Sequence, residues 1–558
     1  MLEAAALGYE VPIAFFVLQR RTINRATSKE LKHLSNRCMK KYFVLFPAIF
    51  LSVSLVFAQG GAPVQQPPAP RPAPSASPVP QASPKPTPNA RIEIEQQPAP
   101  EHKLTPEEAK ELLGSVDQVL HFVSEDTLLP IKHSVKGQIV SREHVEKYIS
   151  DKFKNDVDRI RFERSELVLK KFGLLPRTFD LHKFLIELLT DQIAGYYDEK
   201  TKTMNLLDWV EPDMQKPVMA HELTHALQDQ NYDLEKMSKE DEKIEKKGLT
   251  DLRALVKNDE ESTCRSAVME GQGMIVLVDY LLAPAGKSVA NSPGFVDIMV
   301  SSMEKDKSSP IFDNAPLLLQ DELIFPYRYG MKFIKDLIVA GGKQAAFKKV
   351  LDQMPQTTRE VMQPDEYLAG RRVPPLFLPD LDFLKKDYEP FDAGAMGEID
   401  VNILLKVYAN EQVAKSLSKE WRGGVYYAAG RKGAKPSDTN STAHVGLYYI
   451  SRWSGEDSAR YFARLYSAGL RPRYSALQHL PPDPGKPGLD RYTSADGPIF
   501  IQQTGNVVVA VESFDPETAN KLIELGLKQA EEGMARQEQS QPRFRGASTS
   551  SAPSAAHR

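Results

Sequence analysis

Residues 218–230 read VMAHELTHALQDQ. His221 and His225 stand four apart, and Glu222 directly follows the first of them. On an α-helix, positions i and i+4 project from one face, so both imidazoles can meet one metal ion. Glu222 then points beside that ion, where a carboxylate can hold and deprotonate a coordinated water. The metal must favour imidazole, be redox-inert and tolerate an open coordination position, and zinc meets all three demands. The competing reading is a structural helix that carries two surface imidazoles. With 11 histidines in 558 residues, chance produces an HExxH in roughly 1 to 2 % of such chains. The surrounding sequence has to decide.

A catalytic zinc site takes a third protein ligand and leaves one position for water. The pattern HExxHxxGxxH is excluded, because position 231 is Asn231. No histidine occurs between 226 and 443, which turns the search to carboxylates. Glu270, in AVMEGQGM, is a lone charge early in an otherwise apolar helical run, 266–282, and would be costly to bury without a partner. Gly271 and Gly273 beside it would admit another backbone closely. The alternatives Asp259, Glu260 and Glu261 are read as groups steering an imidazole N–H, or as solvated.

Upstream, GYYDEKTKTMNLLD at 195–208 breaks the helical rhythm of 143–172 and 179–193 and predicts a short β-hairpin. Pro217 suits the first turn of the histidine helix, and Val218, Met219, Ala226 and Leu227 supply its packing. Thr105-Pro106-Glu107-Glu108 has the form of a helix start. The run KMSKEDEKIEKK, 236–247, is read as a solvated face. Helices are also expected over 319–340 and 343–353. A tetrahedral oxyanion would want a further donor, with Tyr327, Arg328 and Tyr329 of FPYRYG, or Tyr196 and Tyr197, as the options beside a structural role.

HELTHALQD resembles the active-site helix of zinc metallopeptidases of the zincin group, and a downstream glutamate makes the pattern gluzincin-like. The aspartate four residues after the second histidine is similar to that of thermolysin-like members. The resemblance implies His221, His225 and Glu270 as zinc ligands, Glu222 as general base and Asp229 as a supporting residue. The spacing of 45 from His225 to Glu270, and Met274 where an aspartate would follow, depart from the thermolysin pattern. Over roughly 185–370 the arrangement of QIAGYYDEKTKTMNLL, HELTHALQDQ, the EG helix, FPYRYG and PQTTREVMQPDEYL resembles a group of poorly characterised secreted bacterial proteins of zincin type. In zincins a strand before the active-site helix is an edge strand that pairs with substrate. By that resemblance Lys202–Leu207 would be the edge strand, or else a hairpin that only covers the core.

Beyond about Asp392 the texture changes. Strands at Val425–Ala429, Val445–Ile450, Ile499–Gln503 and Val507–Val511 alternate with helices at 457–468 and 515–531. That order predicts a small α+β unit, an antiparallel sheet with helices on one face. The overall expectation is an α+β chain, with a mainly helical zincin-like domain at 104–390, an accessory domain at 391–532 and a disordered tail at 533–558.

At the other end, MKKYFVLFPAIFLSVSLVFAQGG from Met39 has the basic, apolar and small-residue regions of a secretory signal. Residues 39–58 are read as that signal and 1–38 as an over-extended reading frame. The 13 prolines of 61–100 make 59–103 an extended spacer. A net charge of -3 points away from nucleic acid as a partner. Two cysteines, Cys38 and Cys264, cannot build a disulfide framework. The expected protein is therefore a secreted or periplasmic, zinc-dependent hydrolase of peptides or proteins, with no integral membrane domain beyond its signal, cleaved or kept as an N-terminal anchor. The alternative is a non-catalytic envelope scaffold or binding protein on the same fold.

Overall fold

The computed structural model describes residues 103–540, apart from 153–155, 193–194, 304–309 and 434–440. The expected reading-frame extension, the signal and almost all of the spacer lie outside the described residues. The tail at 541–558 does too.

Leu252–Leu282 forms one helix of 31 residues, α8, where the sequence announces only its apolar second half. It is long and apolar enough to cross a membrane by length and composition, yet most of it is buried inside the molecule. On one side lies α6, Pro212–Tyr232, which carries both histidines. On another lies α10, Leu317–Gln344. A Cβ on Gly271 would stand 2.4 Å from the Gly330 carbonyl carbon, so α8 and α10 meet backbone to backbone. Gly271 thus admits the close approach its sequence position suggests.

Helix α6 begins one turn earlier than its sequence predicts. Pro212 takes the first helical position, and Pro217 is buried inside the helix. Proline is at home where no N–H is needed, and Pro212 fills that place, leaving Pro217 to interrupt one backbone hydrogen bond. Against α6 pack α1 (Pro106–Gly114) and α2 (Val116–Thr127), while α5 (Leu181–Gln192) packs on α3 (Arg142–Lys152) and on α4 (Asp156–Lys171), which also reaches the second sheet. The α1 start is a capping box, with Thr105 and Glu108 exchanging hydrogen bonds as its sequence implies. The charged run forms α7, Leu234–Lys247, whose outer face carries the i,i+4 pairs Glu235–Lys239 and Glu242–Lys246.

The hairpin is present as β2, Tyr196–Asp198, and β3, Thr203–Leu207. It belongs to a three-stranded sheet of order β1-β3-β2, in which β1, Lys136–Val140, runs parallel to β3. This corrects the expected edge strand. Lys202–Leu207 cannot pair with a substrate, because β3 is hydrogen-bonded on both sides. The sheet's edges are β1 and β2.

The second sheet has seven antiparallel strands: β4 (Tyr388–Ala395), β5 (Trp421–Arg431), β6 (Val445–Trp453), β7 (Gln478–His479), β8 (Leu489–Thr493), β9 (Ile499–Thr504) and β10 (Val507–Glu512). Their order is β4-β5-β6-β10-β9-β8-β7. Residues alternate between two cores. Tyr426, Ala428, Leu447, Tyr449, Val508 and Ala510 face α11 (Glu398–Tyr408), α12 (Glu456–Ala468) and the helical core. Val425, Tyr427, Tyr448, Ile450, Val509 and Val511 face α13 (Pro516–Ser540) and the start of α8. Helices therefore cover both faces, not one as expected. The continuous burial of β6 and β10 already requires a sheet without a wet side.

The expected boundary at 390/391 falls inside β4, and one hydrophobic cluster runs from Leu112 to Ala510 across it. Helix α13 also continues to Ser540, so 533–540 is helical.

Candidate metal centre

Two turns of α6 and one of α8 bring the predicted ligands together. His221 Nε2 lies 3.1 Å from Glu270 Oε2. His225 Nε2 lies 3.0 Å from His221 Nε2 and 3.6 Å from the same Glu270 oxygen. Nitrogen and oxygen donors around one tetrahedral zinc stand roughly 3.3 Å apart, given bonds near 2.1 Å. The three donor atoms thus form one face of such a tetrahedron. The His221 side chain is fully buried, and 15 % of the His225 and 8 % of the Glu270 side chain are exposed. Among the described residues this is the group of histidine and acidic side chains arranged to hold a metal ion.

The electrostatics agree with a cation-binding pocket. Burial depresses His221 to about 4, so its ring is neutral. Burial also works against a charged His225, but the Glu270 carboxylate overrides it and holds that ring up at about 9. Burial would raise Glu270, and the two imidazoles, His225 foremost, pull it down to about 2. A buried carboxylate between two imidazoles keeps one positive charge in the site, here a proton. Two imidazoles and one carboxylate at this spacing could hold a divalent metal ion.

Glu222 is buried beside the triad and outside it, with Oε2 accepting from the Tyr197 backbone N–H at 3.0 Å. The Tyr197 hydroxyl donates to Asp229 Oδ2 at 2.8 Å, two turns further along α6. One residue of β2 thereby holds the helix at both positions. Asp229 also accepts from Lys202 Nζ and from the Leu234 backbone N–H, which ties the hairpin to the end of α6. Asp229 lies outside the three-residue group.

The other candidate donors have partners of their own. The Tyr197 hydroxyl is engaged by Asp229, and the Tyr196 ring stacks on Tyr148 at 4.6 Å. Arg328 folds over the Tyr329 ring and donates to its hydroxyl, and Tyr327 is buried on α10. Asp259 and Glu260 do not steer an imidazole and are not solvated. Asp259 accepts from the Ala395 backbone N–H of β4, and Glu260 from the Thr358 backbone N–H, both at 2.9 Å. They sit about 16 Å of helix rise before Glu270, at 1.5 Å per residue. The reason is that this part of α8 packs against β4, whose amides need buried acceptors. Glu261 pairs with Lys257 at 3.4 Å.

Three groups of this centre carry no motif. Gly273 gives its side-chain space to His221: a Cβ there would stand 2.7 to 2.9 Å from three atoms of the ring. What approaches Gly273 is an imidazole, not a backbone. Gln228 and Gln272 are fully buried behind His225. The signal available in the sequence was position: Gln228 follows His225 by three residues, on the same helical face.

Comparison with family models, curated proteins and solved structures finds no match to this chain.

Proposed function

We propose that this chain is a zinc-dependent peptidase of the gluzincin-like type, exported through its N-terminal signal, with His221, His225 and Glu270 as ligands and Glu222 as general base. The observation that carries the reading is the convergence of three donor atoms 3.0 to 3.6 Å apart, with a fourth group, the Glu222 carboxylate, held beside them and outside the ligand set. A purely structural site has no use for that fourth group. Zinc, when bound, supplies polarisation of a carbonyl and acidification of water. Glu222 accepts the proton of the attacking water and passes it to the leaving amine, and the Tyr197 amide keeps its carboxylate in one place for both transfers. His225 and His221 are held by helix α6, so their separation does not change during the reaction.

The depth of the centre favours one second reading. His221 and Glu222 are almost entirely enclosed, as they would be in a scaffold that uses zinc to stabilise its fold. Metal content and cleavage of a mixed peptide library separate the two. The peptidase reading expects wild type to bind one zinc and cleave, and Glu222→Gln to bind zinc but lose at least about 100-fold in rate, the usual contribution of a general base. Equal cleavage by Glu222→Gln, or no zinc in wild type, overturns it. Zinc bound without cleavage in either protein supports the scaffold.

A further inference from the structure

The Ala346 carbonyl, in the widened π-helical turn Ala345–Lys349 that follows α10, accepts from Gln272 Nε2 at 2.7 Å. Gln272 is thereby obliged to turn its oxygen away, and that oxygen accepts from Gln228 Nε2 at 2.7 Å. Gln228 Nε2 also reaches the Met269 carbonyl at 3.2 Å. Gln228 Oε1 then faces His225 Nδ1 at 2.8 Å. A carbonyl oxygen only accepts, so every link has one direction. Turning either amide would set oxygen against oxygen inside a fully buried space, where an unmade hydrogen bond is costly. At the end of the chain His225 Nδ1 must carry a hydrogen.

We propose that Gln228 and Gln272 are positioning residues for the metal: a one-way hydrogen-bond chain from the Ala346 carbonyl keeps the hydrogen of His225 on Nδ1 and presents the Nε2 lone pair to the ion. The proposal rests on the reading of His221, His225 and Glu270 as zinc ligands. Groups behind a ligating imidazole fix its orientation and which of its nitrogens is bare. Here three elements take part, since the chain starts beyond α10, crosses α8 and ends on α6. Gln272 touches no ligand; its oxygen and the Met269 carbonyl both accept from Gln228 Nε2, and together they forbid Gln228 its flipped orientation.

The test is zinc affinity of the full chain, read by competition with a chromophoric chelator. Gln228→Leu should lose ~10- to 100-fold, the range for partners of a metal-bound imidazole, and Gln272→Leu a measurable but smaller share of that loss, because the Met269 carbonyl still accepts from Gln228 Nε2. The double variant should lose no more than Gln228→Leu alone, because one chain is broken in either place. In the zinc-loaded wild type, nitrogen-15 spectra of the imidazoles should show His225 bound through Nε2 with a slowly exchanging Nδ1–H. A folded Gln228→Leu or Gln272→Leu with wild-type affinity, additive losses in the double variant, or a His225 bound through Nδ1 overturns the proposal and leaves the zinc site standing. If the leucine variants do not fold, the wild-type spectrum still decides. Absence of zinc binding by wild type overturns the parent reading instead.

Discussion

Gly273 and Gly271 stand two residues apart and fail differently when given a methyl group. At Gly273 the new Cβ meets the His221 ring, a side chain that can tilt. Gly273→Ala should therefore fold, cost about 1 to 3 kcal/mol through overpacking, and bind zinc more weakly because the ring leaves its line to Glu270. At Gly271 the Cβ meets the Gly330 backbone, which cannot give way without moving α10. Gly271→Ala should cost more in a denaturation midpoint than Gly273→Ala; the reverse order would contradict the backbone contact. Of this centre, His221, Glu222, His225 and Glu270 were legible because helical spacing assigns faces and a lone carboxylate in an apolar run demands a partner. Gln228 and Gln272 were not, since a glutamine fits any helix and its partner is fixed only when three elements converge.

Helix α8 does two jobs along one axis. Its middle supplies Glu270, and its first half reaches the second sheet through Asp259 and Glu260. Burial, helped by the Asp400 charge, raises Glu260 to about 8. Between about 4.5 and 8 the folded chain holds a proton there that the unfolded chain has released. Stability therefore falls as pH rises through that window, and the loss is complete above it. Glu260→Gln cannot titrate and should flatten this part of the curve of urea midpoint against pH; an unchanged slope would place the proton elsewhere. Strands and hairpin were readable from alternation and turn residues. The position of β3 inside its sheet was not, because its parallel partner β1 lies 67 residues upstream and such pairing leaves no local trace.

At the scale of the molecule, polar ties reinforce the shared core. Buried Lys171 on α4 donates to the Thr442 carbonyl and to Ser513 Oγ. Arg473 returns a hydrogen bond to the Lys171 carbonyl, and Arg359 pairs with Glu398 across the expected boundary. A fragment ending at residue 390 would expose the apolar surface that faces β5 and β6 and would lose β4 as a strand. It should show no cooperative melting transition, whereas the whole chain should melt in one. A cooperative, zinc-binding fragment would mean that the two sheets are independent after all. The accessory role suggested by texture alone was a reading of composition, which changes at 392 although the core does not.

Cys264 is fully enclosed on α8, six residues before Glu270, and burial raises its thiol well above the usual range. A thiol-directed alkylating reagent can reach it only when this helix leaves the core. Its labelling rate, followed by peptide mapping to separate it from Cys38, is thus a clock for opening of the element that carries Glu270. Zinc should slow that clock in proportion to its occupancy; labelling at the same rate with and without zinc would show that the helix opens without releasing the metal. The same enclosure keeps a thiolate, the softest ligand available on α8, away from the proposed metal centre.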